Sequence, residues 1–126
     1  MKFQILGCGL AMWAALVLAA ERPEETMTLT VPDAAWELAV DEVIQVGAEI
    51  WVIAVVSRQG ADRVGAAVIS TARATIPVAL PEGPRKYIVI GKTWRWANEE
   101  PYRFIRHRGE IEKEVSAGRR LYSRGS

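Results

Sequence analysis

The side chains that most often catalyse reactions are scarce in this sequence. His107 is its single histidine, set between Arg106 and Arg108. A hydrolytic triad needs a serine beside such a histidine, and no nucleophile-elbow pattern surrounds any of the candidates. Those candidates are Ser57, Ser70, Ser116 and Ser123. We therefore expect no catalytic residues and no enzyme activity, with a hydrolase as the remote alternative.

Metal and cofactor chemistry finds no pattern in the sequence either. One histidine and one cysteine, Cys8, are too few for an ordinary zinc site, and the carboxylates lack the spacing of a calcium loop. The adjacent acids Asp41-Glu42 and Glu99-Glu100 would point to opposite faces of a strand, or into water from a turn. We expect both pairs to be solvated, and we expect no metal and no cofactor.

Two tryptophans two residues apart, Trp94 and Trp96, are the one constellation that could carry recognition. Aromatic faces offer a large contact area at a small cost in conformational entropy, so the pair could stack on sugar rings or on a protein. Both residues would equally suit a hydrophobic core, and the sequence leaves these alternatives open. The candidate binding residues are Trp94, Arg95, Trp96 and Tyr102.

The faces of this segment depend on the strand register at Gly91 and Lys92. A strand running straight through from Arg85 would place Lys92 on the side of Trp94, among core residues. A two-residue turn at Gly91-Lys92 would instead put Trp94 and Trp96 on one face and leave the lysine at a hairpin tip. We favour the turn because it keeps the charge in water.

The N-terminal segment has the layout of an export signal. Lys2 supplies the positive charge, an apolar run extends from Phe3 to Ala20, and small residues close it. We expect residues 1–19 to be a signal peptide that is cleaved after Ala19. The alternative is a retained membrane anchor, because about 20 apolar residues suffice to cross a bilayer.

Export bounds the compartment and the remaining chemistry. The expected location is periplasmic or extracellular, with membrane contact only if the N-terminal segment is uncleaved. Cys8 leaves with the signal, so the mature chain has neither a disulfide nor a thiol. Residues 20–26 are polar and contain a proline, and we expect them to be a mobile leader.

Charge in this sequence is balanced overall and uneven along the chain. Sixteen basic residues face fifteen acidic ones, which gives no general attraction to nucleic acid. The acids are concentrated in the first half and the bases in the second, where Arg119, Arg120 and Arg124 lie close together. We expect residues 118–126 to be a basic, disordered tail.

Short strands separated by turns make up the segment between leader and tail. Residues 50–56 form the densest apolar run and predict a central strand covered on both faces, whereas Pro77 predicts an edge strand or a bulge. Residues 102–105 predict a last strand, and residues 110–115 fit either a strand or a short helix. We predict one domain over residues 27–117, an all-β antiparallel sandwich.

One corner of this domain resembles the immunoglobulin-like sandwich. A proline- and glycine-containing turn over residues 80–84 precedes Tyr87 at the start of a strand. In immunoglobulin-like sandwiches a tyrosine at this place commonly hydrogen-bonds back to the preceding corner. The resemblance covers about ten residues and implies an immunoglobulin-like arrangement of the sandwich.

These observations predict an exported, non-catalytic interaction module. Loops at one end of the sandwich, or an exposed edge strand, would bind a protein such as an envelope component or a secreted enzyme that the module inhibits. The alternative is a carbohydrate-binding module that uses Trp94 and Trp96 to hold a glycan.

Overall fold

The computed structural model describes residues 24–60 and 68–125, which fold as a mostly β structure with two sheets. A two-stranded sheet contains β1 (Thr26–Val31) and β4 (Ser70–Thr75), and the other sheet has five strands in the order β6-β5-β3-β2-β7. The five are β2 (Trp36–Val46), β3 (Glu49–Arg58), β5 (Arg85–Ile90), β6 (Arg103–Ile105) and β7 (Arg119–Ser123). The expected signal peptide and residues 20–23 of the expected leader lie outside the described residues.

β3 is the central strand of the larger sheet, as the apolar run over residues 50–56 predicts. Alternate side chains such as Val52 and Ala54 face the two-stranded sheet, in the same cluster as Leu29 of β1. Trp51 and Ile53 point to the opposite face, where Trp51 is 2% exposed. Both faces of the strand are therefore covered by apolar groups, which explains its lack of polar alternation.

A bulge at Asp41 divides β2 into two halves with opposite facing. The pairing of β2 with β3 shifts between Val40 and Glu42. Before the bulge Val40 belongs to the inner core, and after it Val43 does, while Ile44 joins the outer cluster. Because one extra residue inverts the alternation, Glu42 lies on the outer face of the sheet.

The outer face is covered by a short helical segment. A 3-10 turn (Arg108–Ile111) continues into α1 (Glu112–Val115), and Ile111 and Val115 are buried against Ile44. Of the two alternatives for residues 110–115, the structure shows the helical one. The carboxylate of Glu110 caps the segment by accepting hydrogen bonds from the N–H groups of Arg106 and His107, at 2.6 and 2.9 Å.

Several sequence expectations about the fold are wrong. Thr26 belongs to β1 and not to a mobile leader, and the strand over residues 103–105 is not the last one. The larger sheet is mixed, since β3–β5 and β5–β6 pair in parallel. The strand from Arg85 ends at Ile90 with no hairpin turn at Gly91-Lys92. Residues 119–123 form β7 rather than a disordered tail, because β2 offers an edge for backbone pairing and Asp41 offers a partner for Arg124, at 3.2 Å. Sequence pattern gives the period of a strand and not its pairing partner.

No helix in residues 24–60 or 68–125 is long and apolar enough to cross a membrane.

Candidate binding surface at the tryptophan end

The strand directions give the sandwich two ends of different character. We call the end formed by residues 31–36, 56–60, 68–70 and 90–96 the tryptophan end. We call the opposite end, formed by residues 24–26, 46–49 and 75–85, the acidic end. β1 starts at the acidic end and finishes at the tryptophan end, with Val31 opposite Ser70.

Three tryptophan side chains pack against one another in series at the tryptophan end. The Trp94 ring lies edge-on to Trp36, with 5.0 Å between centroids and 80° between planes. Trp96 lies beyond Trp94, 5.5 Å away and tilted by 36°. Trp36 and Trp94 are half-buried, whereas Trp96 is 38% exposed. Trp94 is therefore the support, and Trp96 is the member of the series that a partner can reach.

Polar contacts fix the position of Trp94. Its indole N–H donates to the Asn98 side-chain oxygen at 2.8 Å, and the Asn98 amide nitrogen donates to the Thr30 carbonyl at 2.9 Å. The same nitrogen donates to the Glu100 carboxylate at 3.0 Å. The loop that carries the tryptophans is thereby attached to β1.

Tyr102 and Glu100 complete this attachment along the free edge of β1. The Tyr102 hydroxyl accepts from the Thr28 N–H and donates to the Thr28 carbonyl, while Glu100 accepts from the Thr30 N–H at 2.6 Å and from the Thr30 hydroxyl at 2.7 Å. Together with Asn98, these side chains take the backbone groups that a neighbouring strand would otherwise take. Burial opposes ionisation of Glu100, but the hydrogen bonds from Thr30 and Asn98 outweigh it and lower the pKa of the carboxyl.

A cation lies beside the tryptophan series. The Lys92 ammonium is 4.8 Å from the centroid of the Phe104 ring and 5.8 Å from that of Trp94. No carboxylate of the described chain is within ion-pair distance of Lys92 or of the exposed Arg95. The nearby Asp33 is engaged by Arg58 at 3.4 Å. Lys92 is thus held by aromatic faces, with its N–H donors still available.

Exposed apolar side chains are concentrated at the tryptophan end. Among the described residues, the large apolar side chains with the greatest exposure are Val68, Ile69 and Trp96, at 62, 67 and 38%. Val68 and Ile69 directly precede Ser70, the partner of Val31 at the end of β1. The structure therefore places all three at one end of the sandwich.

The predicted site residues have separate positions and roles. Trp94, Arg95 and Trp96 lie together on one loop, whereas Tyr102 contacts β1 and positions that loop. The expectation that Glu99-Glu100 is simply solvated is wrong for Glu100, which is half-buried and hydrogen-bonded. The sequence signal for this attachment is a spacing of two residues, which places alternate side chains on one side of an extended chain. It relates Asn98, Glu100 and Tyr102 in one segment and Thr28 and Thr30 in β1.

Tyr87 does not make the corner contact that the immunoglobulin resemblance implies. The tyrosine hydroxyl that binds backbone is that of Tyr102, and it binds at β1. Tyr87 packs against Tyr102 with 5.6 Å between ring centroids. Burial, reinforced by the charge of Glu25, raises the pKa of Tyr87.

The second acidic pair also departs from expectation. Glu42 is 7% exposed and accepts a 2.7 Å hydrogen bond from Arg108, while Arg120 lies 3.2 Å from its other oxygen. Arg108 also pairs with Glu112, and the Glu42 contact is the main cause that raises the pKa of Arg108. The ion pair of Glu42 and Arg108 is a structural contact between β2 and the helical segment, and the bulge in β2 places Glu42 on that face.

Three of the four serines considered for hydrolysis are engaged in local contacts, since each hydrogen-bonds a residue two or three positions away. Ser57 accepts from the Gln59 side chain, Ser70 donates to the Val68 carbonyl, and Ser116 donates to the Lys113 carbonyl. Within the described residues, no group of three or more histidine, cysteine or acidic side chains is arranged to hold a metal.

A groove of about 640 Å³ opens at the acidic end. Its wall includes Ile76, Val78 and Leu80, and Arg85 crosses it to reach Glu25 at 3.0 Å. Arg85 also donates to the Pro81 carbonyl, so the guanidinium joins the turn to the start of β1. The Arg85 guanidinium is thus engaged in contacts within the fold.

Comparison of the chain with protein-family models, with curated protein sequences and with solved structures finds no match in any of the three.

Proposed function

We propose that this chain is an exported, non-catalytic interaction module that binds another protein through its tryptophan end. The observation that carries the proposal is that the exposed large apolar side chains Val68, Ile69 and Trp96 all lie at that end. Exposed apolar side chains that cluster on a small domain are typical of interaction sites. Trp96 is also braced from behind by Trp94, and a rigid aromatic anchor loses little entropy on binding.

A protein partner suits this surface better than a glycan. Stacking on sugar rings requires open aromatic faces, and Trp94 is half-buried between Trp36 and Trp96 with its indole N–H already bound to Asn98. A single exposed ring, with two aliphatic side chains at the same end, offers an irregular apolar surface. Such a surface matches the anchors of a protein interface.

Export is supported by the apolar run from Phe3 to Ala20 after Lys2. The partner in that compartment would be an envelope component or a secreted enzyme. The module would inhibit such an enzyme by covering its surface. β1 begins at the acidic end, so the segment before it joins the domain on the side away from Trp96.

Affinity capture from native envelope and secreted fractions tests the proposal. The bait is the full chain, compared with Trp96→Ala, with the double variant Val68→Ser/Ile69→Ser, and with Lys113→Gln, which changes an exposed residue of α1. We expect a protein that the wild type and Lys113→Gln capture and that the tryptophan-end variants lose. Capture that all baits share equally, or reproducible substrate turnover by the purified protein, would contradict the proposal.

Export itself is tested by mass and by fractionation. We expect the protein in the periplasmic or extracellular fraction with the mass of a chain that begins at Ala20. A full-length mass in the membrane fraction would show the anchored alternative, and a cytoplasmic location would contradict export.

A further inference from the structure

We propose that the partner presents an acidic side chain to Lys92 next to an apolar side chain that covers Trp96. This inference rests on the proposed function and names the chemistry of the partner. Its starting point is the environment of Lys92, whose ammonium lies over the Phe104 and Trp94 rings with no carboxylate within ion-pair distance among the described residues.

The aromatic rings hold the Lys92 ammonium in place and compensate part of its lost hydration. The rings cannot accept hydrogen bonds from the ammonium N–H groups as oxygen atoms do. A carboxylate that approaches from the open side would supply those acceptors without requiring the lysine to move. A charge that is already positioned binds its counter-ion at a smaller entropy cost than a free surface lysine does.

Among the described residues, the other acids near this end do not fill that role. Glu100 accepts from Thr30, and Asp33 accepts from Arg58 and from the Ala35 N–H at 2.8 Å. Glu37 and Glu99 are exposed, and neither forms an ion pair with Lys92 or Arg95 within the part of the chain that the structure describes. Arg95, between the two tryptophans in sequence, adds a second available cation.

The spacing fits one short segment of a partner. Since Lys92 and Trp96 both lie against the Trp94 ring, they are within about 11 Å of each other, a distance that an extended chain spans in about three residues. A single segment with an acid and an apolar residue up to three positions apart could therefore reach both. Charge complementarity at Lys92 and apolar burial at Trp96 together specify this partner.

Selection from a library of random peptides displayed on phage tests the inference directly. The target is the full chain, with the Lys92→Gln variant as a soluble competitor that removes binders indifferent to the lysine. We expect enriched peptides to carry Asp or Glu within three positions of a large apolar residue. Enrichment of sequences without an acid, or no enrichment, would overturn the inference.

Fluorescence anisotropy with the leading peptide supplies the matched controls. We expect Lys92→Gln and Trp96→Ala each to weaken binding about tenfold or more, and Lys92→Arg and Lys113→Gln to bind nearly as the wild type does. Equal binding by Lys92→Gln, or tighter binding to phosphatidylserine vesicles or heparin oligosaccharide than to the peptide, would also overturn the inference. If Trp96→Ala loses a captured protein while Lys92→Gln retains it, the proposed function stands and this inference fails.

Discussion

The Tyr102 hydroxyl makes both hydrogen bonds that Thr28 would exchange with a neighbouring strand, accepting from its N–H at 3.1 Å and donating to its carbonyl at 2.8 Å. One side chain thus closes part of an open strand edge and fixes the loop that carries Trp94 and Trp96. The structure of the edge and the geometry of the candidate site depend on the same residue.

Replacement of Tyr102 by phenylalanine removes both hydrogen bonds and keeps the ring. We expect a loss of about 1–3 kcal/mol in the free energy of unfolding, because two partly buried backbone groups of Thr28 lose their partner. Urea denaturation measures the loss, and hydrogen exchange at the Thr28 amide should become faster. Tyr122→Phe, on β7, is the control. An unchanged unfolding midpoint for Tyr102→Phe would show that the edge contact is not stabilising.

Glu100 should make stability depend on pH in the acidic range. Its folded-state pKa lies below the ordinary value of 4.5, so the ionised carboxylate stabilises the folded state above that value. This contribution is lost as the pH falls through the folded-state pKa. We expect urea denaturation between pH 7 and pH 3 to show a steeper loss for the wild type than for Glu100→Gln. Parallel pH profiles for the two proteins would contradict the assignment.

The sequence predicts local structure at this site better than tertiary pairing. The apolar run over residues 50–56 requires a doubly covered strand whatever its neighbours are, and β3 is that strand. The partners of β5 and β7 could not be predicted, because alternation along one strand carries no information about parallel or antiparallel pairing. Residues 119–123 are polar enough to suggest disorder and are ordered by the edge of β2.

The sequence predicts only part of the candidate site, because the rest depends on contacts between residues that are distant in sequence. Residue type alone indicates Trp94 and Trp96 as candidates, but their separate roles depend on Trp36, which is distant in sequence. The sequence favours a turn tip for Lys92, which would keep its charge in water, whereas in the structure two aromatic rings hold it. A cation–π contact requires knowledge of which rings meet, and local spacing does not supply it.

The Glu42 carboxylate should cost stability when its main partner is removed. Arg108→Gln leaves a buried acid with Arg120 alone, and we expect a loss of about 2–3 kcal/mol. Arg120→Gln should cost less than about 1 kcal/mol, since that side chain is 59% exposed.

A double-mutant cycle checks the assignment of this pair. The variant Glu42→Gln/Arg108→Gln should be more stable than Arg108→Gln alone, because it no longer buries an uncompensated charge. Additive losses in thermal or urea unfolding would mean that Glu42 and Arg108 do not interact.

Gly118 should be intolerant of a side chain because β7 approaches β2 there. A Cβ at this position would lie 2.5 Å from Ile44 Cγ2 and 2.9 Å from the Gln45 carbonyl oxygen. We expect Gly118→Ala to destabilise the domain by about 1–3 kcal/mol in urea unfolding. Gly109→Ala is the matched control, since nothing lies within 4 Å of its added Cβ. Equal stability of the two variants would contradict the close approach of β7.

Replacement of Trp94 should mainly lower stability, whereas replacement of Trp96 should mainly lower partner binding. Trp94 packs against Trp36 and Trp96 and donates to Asn98, so we expect Trp94→Ala to cost about 3 kcal/mol of folding free energy. Trp96 packs against Trp94 at the surface, so Trp96→Ala should cost less than about 1 kcal/mol while abolishing capture of the partner. Urea unfolding and capture, performed on the same preparations, measure the two effects. A large loss of stability in Trp96→Ala would make Trp96 a core residue and remove the anchor from the proposed surface.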